Sequence, residues 1–362
     1  MERVMRFNIK NLIKFKIIDR TSKLNKIFST FEKQYNNFLI YDDPPEYDLI
    51  LTIGKYRPNL DGCYNCGNGK FYFKEDYICV PCETYKGARW GFQINGLNEK
   101  ETKIDIECNE LGRIFIQGYI IDFMIHLKLL KKGYPIIHAS SVKKENHGYL
   151  FASRGGGGKT TISLGMAFLG FEFMSDNFTI IHEGNIIAFS TPLNLFTYNI
   201  SSEIIKKMTV SEQRLFKLKE VAFKLTNGYA KFFTKIDPVR IFNQIGDEAM
   251  LDCGFIIIPK KGDNNISISK IDFLEFVQRN LFNQKMEFPQ FDRLNAEYSY
   301  YYPDSEFSRH WIEYKKKLMV NLNNRIPYYR IDAPVGVNKL LIEKIVRFIE
   351  KDRLDNYDIN NR

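Results

Sequence analysis

Long apolar runs are missing from this sequence. No stretch approaches the roughly 20 consecutive apolar residues that a membrane-spanning helix needs. The opening sequence MERVMRFNIKNLIKFK is interrupted by charged residues every few positions, unlike the apolar core of a signal peptide or anchor. We therefore expect a cytoplasmic protein with no membrane partner, in which the six cysteines stay reduced and form no disulfide framework.

Internal repeats and low-complexity linkers are also missing, and general disorder is excluded by composition. Hydrophobic residues make up 44% of the 362 positions, including 30 Phe and 21 Tyr. A chain of this length and composition can bury a large apolar core. The length predicts two domains.

A dense basic cluster is lacking as well, although the formal net charge is +9. Residues 1–34 hold nine Lys or Arg against three Asp or Glu, but these charges are spread along the segment. Such spacing is more typical of a solvated face on an N-terminal strand and helix than of a nucleic-acid or membrane surface. We expect no nucleic-acid partner, and a nucleic-acid-linked ATPase stays an alternative.

Hydrophobic periodicity changes near residue 130, where we place the domain boundary. Strands are predicted at residues 47–53, 90–94 and 103–108. A helix is predicted at residues 118–130, because Ile120, Phe123, Met124, Leu127 and Leu130 recur at helical spacing. Beyond it, the pattern predicts strands at residues 134–142, 148–152, 172–174, 253–259 and 328–331, a hairpin at 178–189, and helices at 160–169, 272–282 and 339–351.

The strongest chemical signal is the sequence FASRGGGGKTT at residues 151–161, between a predicted strand and a predicted helix. Glycines let successive backbone N–H groups point at phosphate, and a helix N-terminus adds partial positive charge. The Lys159 ammonium can reach the terminal phosphates, and the Thr160 hydroxyl can bind Mg²⁺. The predicted nucleotide-binding residues are Ser153, Arg154, Gly155, Gly156, Gly157, Gly158, Lys159, Thr160 and Thr161.

Such a loop needs an acidic partner for Mg²⁺, and Asp176 follows an apolar run at residues 171–174. At the end of a strand its carboxylate would project towards the phosphates. A turn cap is the alternative role for Asp176. His138 ends the apolar sequence PIIH, where a structural histidine is more common than a catalytic one. The loop alone does not distinguish a kinase from an ATPase or a GTPase.

The sequence HASSVKKENHGYLFASRGGGGKTTISLGMAFLGFEFMSDNFTII, residues 138–181, resembles the core of HPr kinase/phosphorylase and its relatives. That family has a histidine on a strand, a hairpin, the phosphate-binding loop, a helix ending at glycine, and an acidic pair. The resemblance implies the nucleotide fold shared with phosphoenolpyruvate carboxykinase, use of ATP and Mg²⁺, and phosphorylation of a hydroxyl. Relatives of the family include kinases of peptides and of free serine.

By this resemblance, His138, Lys159 and Thr160 match active-site positions. The family's acidic pair is usually two aspartates, one of which accepts the proton of the substrate hydroxyl. Here the pair is Asp176 and Asn177, and an amide cannot act as that base. Asp176 takes the proton, or His138 does, or the chain binds nucleotide without transfer. We favour Asp176, because phosphoryl transfer depends mainly on positioning and charge.

Three further features are weaker candidates. Glu203 is the nearest match to a second acidic ligand of the family. Arg240 could neutralise phosphate charge, or form a surface salt bridge. The tyrosines at 298, 300, 301 and 302 could line a substrate site, although packing against the sheet is the more common role of such a cluster.

Four cysteines, Cys63, Cys66, Cys79 and Cys82, form the pattern C-x2-C-x12-C-x2-C. This spacing is close to that of zinc ribbons, where two tight turns each present two thiolates to a tetrahedral ion. It predicts a structural Zn²⁺ site, with ordinary buried cysteines or a redox pair as alternatives. Cys108 and Cys253 are expected in the core.

Together these features predict an α/β protein of two domains. Residues 1–130 form an N-terminal α+β domain with a zinc-ribbon-like insertion at 61–84. Residues 131–362 form a P-loop domain of the HPr kinase/phosphoenolpyruvate carboxykinase type with a C-terminal helix. The predicted activity is ATP- and Mg²⁺-dependent phosphorylation of a protein, peptide or small-molecule hydroxyl. The rival interpretation is a nucleotide-sensing or interaction module with little transfer. The acceptor and any homo-oligomer are left open.

Overall fold

Two units make up the chain, and each is built from two separate segments. The computed structural model describes residues 2–21, 33–196, 202–226, 233–242, 244–262, 265–336 and 339–360, without the side chains of residues 114, 202, 203 and 352–360. The first unit comprises residues 1–136 and 281–320, and the second comprises residues 137–280 and 321–362. The sequence predicts a single boundary near residue 130, whereas the chain returns to the first unit at residue 281, which hydrophobic periodicity cannot signal.

A mixed sheet forms the centre of the first unit. In chain order its strands are β1 Arg3–Ile9, β2 Ile13–Asp19, β3 Leu39–Ile40, β4 Leu49–Ile53, β5 Tyr64–Cys66, β6 Phe71–Lys74, β7 Tyr77–Tyr85, β8 Ala88–Asn95 and β9 Thr102–Cys108. They lie in the order β3-β1-β2-β4-β9-β8-β7-β6-β5. The β2/β4 and β4/β9 pairs are parallel, and the hairpins on either side are antiparallel.

The N-terminal residues form a hairpin, so a second strand follows the predicted strand within residues 1–34. Alternate residues of β1 and β2 are buried, and Phe7 stacks on Phe15 with ring centroids 4.7 Å apart. Lys14 and Lys16 lie on the opposite, partly exposed face, as the period of two in a strand requires. The short helix predicted after the strand remains untested, because residues 22–32 lie outside the described residues.

Helices complete the first unit. They are Gly112–Ile116, the π-helical turn Gln117–Ile121, Asp122–Lys131, Pro289–Tyr301 and His310–Asn321, together with the 3-10 turn Asn36–Phe38. The predicted helix at 118–130 is confirmed, and its apolar residues are buried. Its buried Asp122 accepts hydrogen bonds from Tyr35 and Gln117, and Lys128 donates to the carbonyls of Glu99 and Lys100. Asp122 and Lys128 therefore have the partners that burial requires, whereas neither ring nitrogen of the fully buried His126 has a hydrogen-bond partner among the described residues.

The second unit contains the sheet that carries the candidate site. Its strands are β10 Ile136–Ile137, β11 Ala139–Lys144, β12 His147–Ala152, β13 Glu172–Ser175, β14 Thr179–His182, β15 Asn185–Ala188, β16 Leu193–Phe196, β17 Phe233–Ile236, β18 Glu248–Lys260, β19 Ser267–Ile271 and β20 Tyr328–Pro334. The order is β10-β14-β15-β18-β12-β11-β13, with β20 parallel to β18 and antiparallel to β19, while β16 and β17 pair separately. β12 is an interior strand that pairs in parallel with the long β18 and antiparallel with β11. The loop after β12 therefore begins at the carboxyl end of a strand that is hydrogen-bonded on both sides.

Six helices are described for the second unit, one of which carries the chain back to the first. They are Lys159–Phe168, Ser202–Lys207, Val210–Leu225, Pro238–Ile241, Phe273–Glu287 and Lys339–Asn360. The structure confirms the predicted helices at 160–169, 272–282 and 339–351, the last two with later ends. No helix in the described ranges combines the length and the apolar content needed to cross a membrane.

The core of this unit joins the sheet to two helices. Phe151 of β12 stacks on Phe255 of β18 at 5.0 Å, in one buried cluster with Leu341 and Ile342 of the C-terminal helix. Gly165 lets that helix approach closely, because an added Cβ would lie 2.3 Å from Ile342 Cδ1. The position of helix Lys159–Phe168 is therefore set by packing on both of its sides.

Two neighbouring leucines test this core. Leu341 is fully buried, whereas Leu340 is 63% exposed. We expect Leu341→Ala to lower the free energy of unfolding by about 2–5 kcal/mol through lost burial and a cavity. Leu340→Ala should change it by less than about 0.5 kcal/mol. Urea unfolding of both variants measures the difference, and equal losses would contradict the described packing.

Candidate functional site

The glycine-rich loop joins β12 to the helix Lys159–Phe168. Gly156 and Gly158 have φ angles of 81° and 95°, which residues with a Cβ rarely adopt. At Gly157 an added Cβ would lie 1.6 Å from Ser153 Oγ, while the Gly157 amide donates to the carbonyl of Arg154 at 2.9 Å. The curled conformation of this loop therefore depends on glycine at these three positions.

The front of the loop is open. Added Cβ atoms at Gly155 and Gly156 would meet no atom within 4 Å. Gly158 occupies the N-cap position and has no side chain to cap the first N–H groups of the helix. Such uncapped amides at a helix N-terminus, beside open space, form a site suited to an anion.

Lys159 is buried at the base of the loop. Its Nζ donates a hydrogen bond to the carbonyl of Ser153 at 2.8 Å, which closes the loop on itself. Its own carbonyl accepts a hydrogen bond from Ser140 Oγ at 3.1 Å. The ammonium is thus held inside the curl and close to the uncapped amides.

Asp176 faces the beginning of the same helix. It follows β13 directly, and its Oδ1 and Oδ2 accept from Thr160 Oγ1 at 3.1 and 2.9 Å. The carboxyl is 6% exposed, and burial raises its pKa, a rise that the Lys159 ammonium and the Thr160 hydroxyl partly offset. The arrangement places one hydroxyl and one carboxylate, both ligands suited to Mg²⁺, in direct contact.

A cluster of three buried hydroxyls lies beside Asp176 and has no counterpart in the sequence interpretation. Ser141 and Ser175 Oγ are 2.7 Å apart, Ser175 Oγ and Thr179 Oγ1 are 2.8 Å apart, and Thr179 Oγ1 also donates to the Ala139 carbonyl at 3.3 Å. All three hydroxyl residues are fully buried. They link β11, β13 and β14 and so hold the strand end that carries Asp176. In the sequence, these residues could have been noticed as small hydroxyl side chains within otherwise apolar strands.

The structure gives local reasons for the residues at positions 138 and 177. His138 lies between β10 and β11, is buried, and packs its ring 5.9 Å from that of Phe178. Asn177 has a φ of 77°, a left-handed conformation in which Asn is enriched. The backbone at this turn therefore accounts for an amide beside Asp176.

Arg240 belongs to a helix cap. It donates to Glu212 through Nη1 and Nη2 at 2.8 and 2.9 Å. Glu212 and Thr209 form the capping box of helix Val210–Leu225, and the hydrogen bond from Arg240 chiefly lowers the pKa of Glu212 to about 2. The salt-bridge alternative thus describes Arg240. Glu203 begins a different helix, and its side chain lies outside the described residues.

The structure does not confirm the zinc ribbon predicted for the four cysteines. In the described part of the chain, no group of three or more His, Cys, Asp or Glu side chains is placed to hold a metal ion. Cys79 and Cys82 lie along β7 instead of on a tight turn, one buried and the other exposed. Cys66 Sγ donates to Glu297 at 3.0 Å, and burial raises the pKa of Cys79 to about 11. The segment at 61–84 is a strand meander in this structure, and the described residues give no support to the predicted Zn²⁺ site.

Aromatic packing holds that meander. Tyr64 stacks on Tyr301 at 4.7 Å, and the buried Tyr298 packs edge-on against Phe73 at 5.7 Å. Tyr300 is 84% exposed. The tyrosine cluster at 298–302 therefore packs on the sheet of the first unit, the alternative that the sequence favoured over a substrate site.

Comparison with known proteins adds little to this geometry. No protein-family model matches the chain, and no curated protein matches it. Among solved structures, the chain is similar to the Hpr(Ser) kinase/phosphatase from Coxiella burnetii at 12% identity, over 62% of this chain and 96% of that one. The TM-score is 0.28, which carries no argument about function. The interpretation therefore depends on the site itself.

Two glycines of the loop provide a matched test of its shape. Gly157→Ala forces a Cβ into Ser153 and should lower the free energy of unfolding by about 1–3 kcal/mol. Gly155→Ala meets open space and should change it by less than about 0.5 kcal/mol. Thermal or urea unfolding without nucleotide measures both. Equal stability of the two variants would show that the loop is not curled as described.

The buried carboxylate predicts a pH dependence. Because the pKa of Asp176 is raised in the folded chain, its contribution to stability is present at low pH and is lost as pH rises through that pKa. Asp176→Asn removes the buried charge, so we expect the variant to unfold at higher temperature than the wild type near neutral pH. The difference should shrink as the pH falls towards about pH 4. A constant difference across this range would contradict the assignment.

Proposed function

We propose that the chain binds ATP with Mg²⁺ at residues 153–161 and transfers the γ-phosphate to a hydroxyl group. The observation that carries this proposal is the contact between Thr160 and Asp176 beside an open glycine loop. Residues 153–176 bring together a site suited to an anion, a buried ammonium and a hydroxyl–carboxylate pair, which are parts that phosphoryl transfer uses.

Each part has a role in this proposal. The amides of the loop and of the helix N-terminus would bind the phosphate oxygens, and Lys159 would exchange the Ser153 carbonyl for the terminal phosphates. Thr160 and Asp176 would hold Mg²⁺, which neutralises charge on the β and γ phosphates when bound. The fully buried hydroxyl cluster would keep Asp176 at its position.

The reaction itself is a single displacement. The acceptor oxygen forms a bond to the γ-phosphorus, the bond from that phosphorus to the β,γ-bridging oxygen breaks, and ADP leaves. The hydroxyl proton passes to Asp176 or to His138. We favour Asp176 as the acceptor of this proton, because its carboxylate contacts Thr160 at the loop, whereas the His138 ring packs against Phe178.

A second candidate function is a nucleotide sensor with little transfer. One reason is Asn177: the acidic pair expected from the resemblance has a single carboxylate here, that of Asp176. The other reason is that both oxygens of Asp176 already accept hydrogen bonds from Thr160. One carboxylate would then have to serve both Mg²⁺ and the acceptor proton. A sensor needs only the first of these roles.

Lysine substitution tests nucleotide binding. Lys159→Ala should weaken binding of ATP with Mg²⁺ by about 10- to 100-fold, because a charged hydrogen bond to phosphate is lost. Lys144→Ala removes a partly exposed lysine that pairs with Glu350 at 3.4 Å, and it should bind as the wild type does. Isothermal titration calorimetry measures all three proteins. Equal affinity of wild type and Lys159→Ala would reject this site.

Transfer distinguishes the two candidate functions. Wild-type protein with γ-labelled ATP, Mg²⁺ and a panel of free serine and serine-containing peptides should yield labelled acceptor. Lys159→Ala and Asp176→Asn should not. Nucleotide binding without label transfer would favour the sensor, whereas no nucleotide binding at all would reject both proposals.

A further inference from the structure

The helix Val210–Leu225 has an apolar face that is open to solvent. Its aliphatic residues are exposed to the extent of 66, 49, 68, 53 and 81% for Val210, Leu215, Leu218, Val221 and Leu225. At 100° per residue they fall within an arc of about 140°. We call these five residues, with Arg214, Lys217 and Lys224, the cationic-apolar face. An amphipathic helix ordinarily buries such an arc against its own protein.

This helix is held in place without using that face. Phe216, on the other side, is its buried residue, and the Thr209–Glu212 capping box and the Arg240–Glu212 pair fix its beginning. Lys219 Nζ donates to the carbonyl of Phe233 at 2.7 Å, which adds a side-chain contact near its middle. The exposed aliphatic residues therefore contribute little to holding the helix, and a contiguous patch of this kind marks an interaction site.

The charges around the patch select its partner. Arg214, Lys217 and Lys224 are exposed, whereas Glu212 is engaged by Arg240 and Glu220 pairs with Lys224 at 2.8 Å. A second copy of this chain would bring cations against cations, which disfavours self-association. An acidic partner would neutralise them, and its apolar residues would cover the patch.

The spacing of the apolar residues indicates the partner's shape. Leu215, Leu218, Ala222 and Leu225 follow one another at intervals of three, four and three residues. This is the seam spacing with which one helix packs along another. We propose that the cationic-apolar face docks an acidic amphipathic helix of a protein partner.

The docking face shares its support with the nucleotide site. Phe216 lies in one buried cluster with Leu164 of helix Lys159–Phe168 and Phe173 of β13, the strand that ends at Asp176. A partner seated on the cationic-apolar face would therefore rest on the elements that carry the loop and its carboxylate. Docking itself needs no nucleotide, so its test does not depend on the proposed activity.

Binding of model peptides to the full chain tests the proposal. The probes are two synthetic helical peptides with leucine at the seam positions, one flanked by glutamate and the other by lysine. We expect the acidic peptide to bind at least about tenfold more tightly in fluorescence polarisation, and to weaken as salt rises. Equal binding of both peptides, or no binding of the acidic one, would overturn the proposal.

Two substitutions at equally exposed leucines locate the site. Leu218→Asp should weaken binding of the acidic peptide by about tenfold or more, because it places a carboxylate in the seam. Leu340→Asp, on a leucine that is 63% exposed elsewhere in the same unit, should leave binding unchanged. Should Leu218→Asp unfold the chain, Lys217→Glu serves as the second variant. It should weaken binding of the acidic peptide and strengthen binding of the basic peptide. Equal effects of Leu218→Asp and Leu340→Asp would overturn the assignment.

Two rival occupants have their own outcomes. A wild-type dimer in light scattering that Leu218→Asp converts to a monomer would assign the face to a second copy and overturn the proposal. Binding to vesicles of phosphatidylcholine and phosphatidylserine that Leu218→Asp abolishes, without selective binding of the acidic peptide, would assign it to an anionic lipid surface. That result would overturn the proposal as well.

Discussion

The candidate site depends on a buried carboxylate that follows strand β13 and contacts the first turn of helix Lys159–Phe168. Asp176 is held between the Thr160 hydroxyl and the Lys159 ammonium, in surroundings that disfavour its charge. Burying a charge is costly unless it is paired, and here a neighbouring cation and a donated hydrogen bond offset that cost only in part. Binding of a divalent cation or of a proton would neutralise this carboxylate and so lower the cost of burying its charge.

That carboxylate can stay in place because its strand is fixed on both sides. The buried hydroxyls of Ser141, Ser175 and Thr179 join three strands next to it, and each hydroxyl has a partner. On the helix side, Gly165 admits Ile342 and sets the distance to the C-terminal helix. A network in which every polar member is satisfied rigidifies its surroundings, so the loop and the strand end are positioned without bound ligand.

Outside the site, ion pairs within the chain determine which charged side chains can bind a ligand or a partner. Arg240 and Glu212 satisfy each other at a helix cap, which removes Arg240 from phosphate chemistry. The aliphatic arc of helix Val210–Leu225 faces solvent beside the exposed cations Arg214, Lys217 and Lys224, the last of which pairs with Glu220. The net charge of +9 says little about these roles. The position of each charge decides whether it lies at the loop, in the Arg240–Glu212 pair or on the exposed face of helix Val210–Leu225.

The sequence by itself determined the local elements and the central loop. Strands β4, β8, β9 and β12, the helix after the loop, and the contact partner Asp176 all followed from apolar periodicity and glycine placement, which act over neighbouring residues. Only the tertiary structure decided the return of residues 281–320 to the first unit, the hydroxyl cluster and the pairing of Arg240. It also placed Cys79 and Cys82 on one strand, with Cys79 buried and Cys82 exposed. The first three of these features join residues far apart in the chain, and no short-range pattern records such contacts.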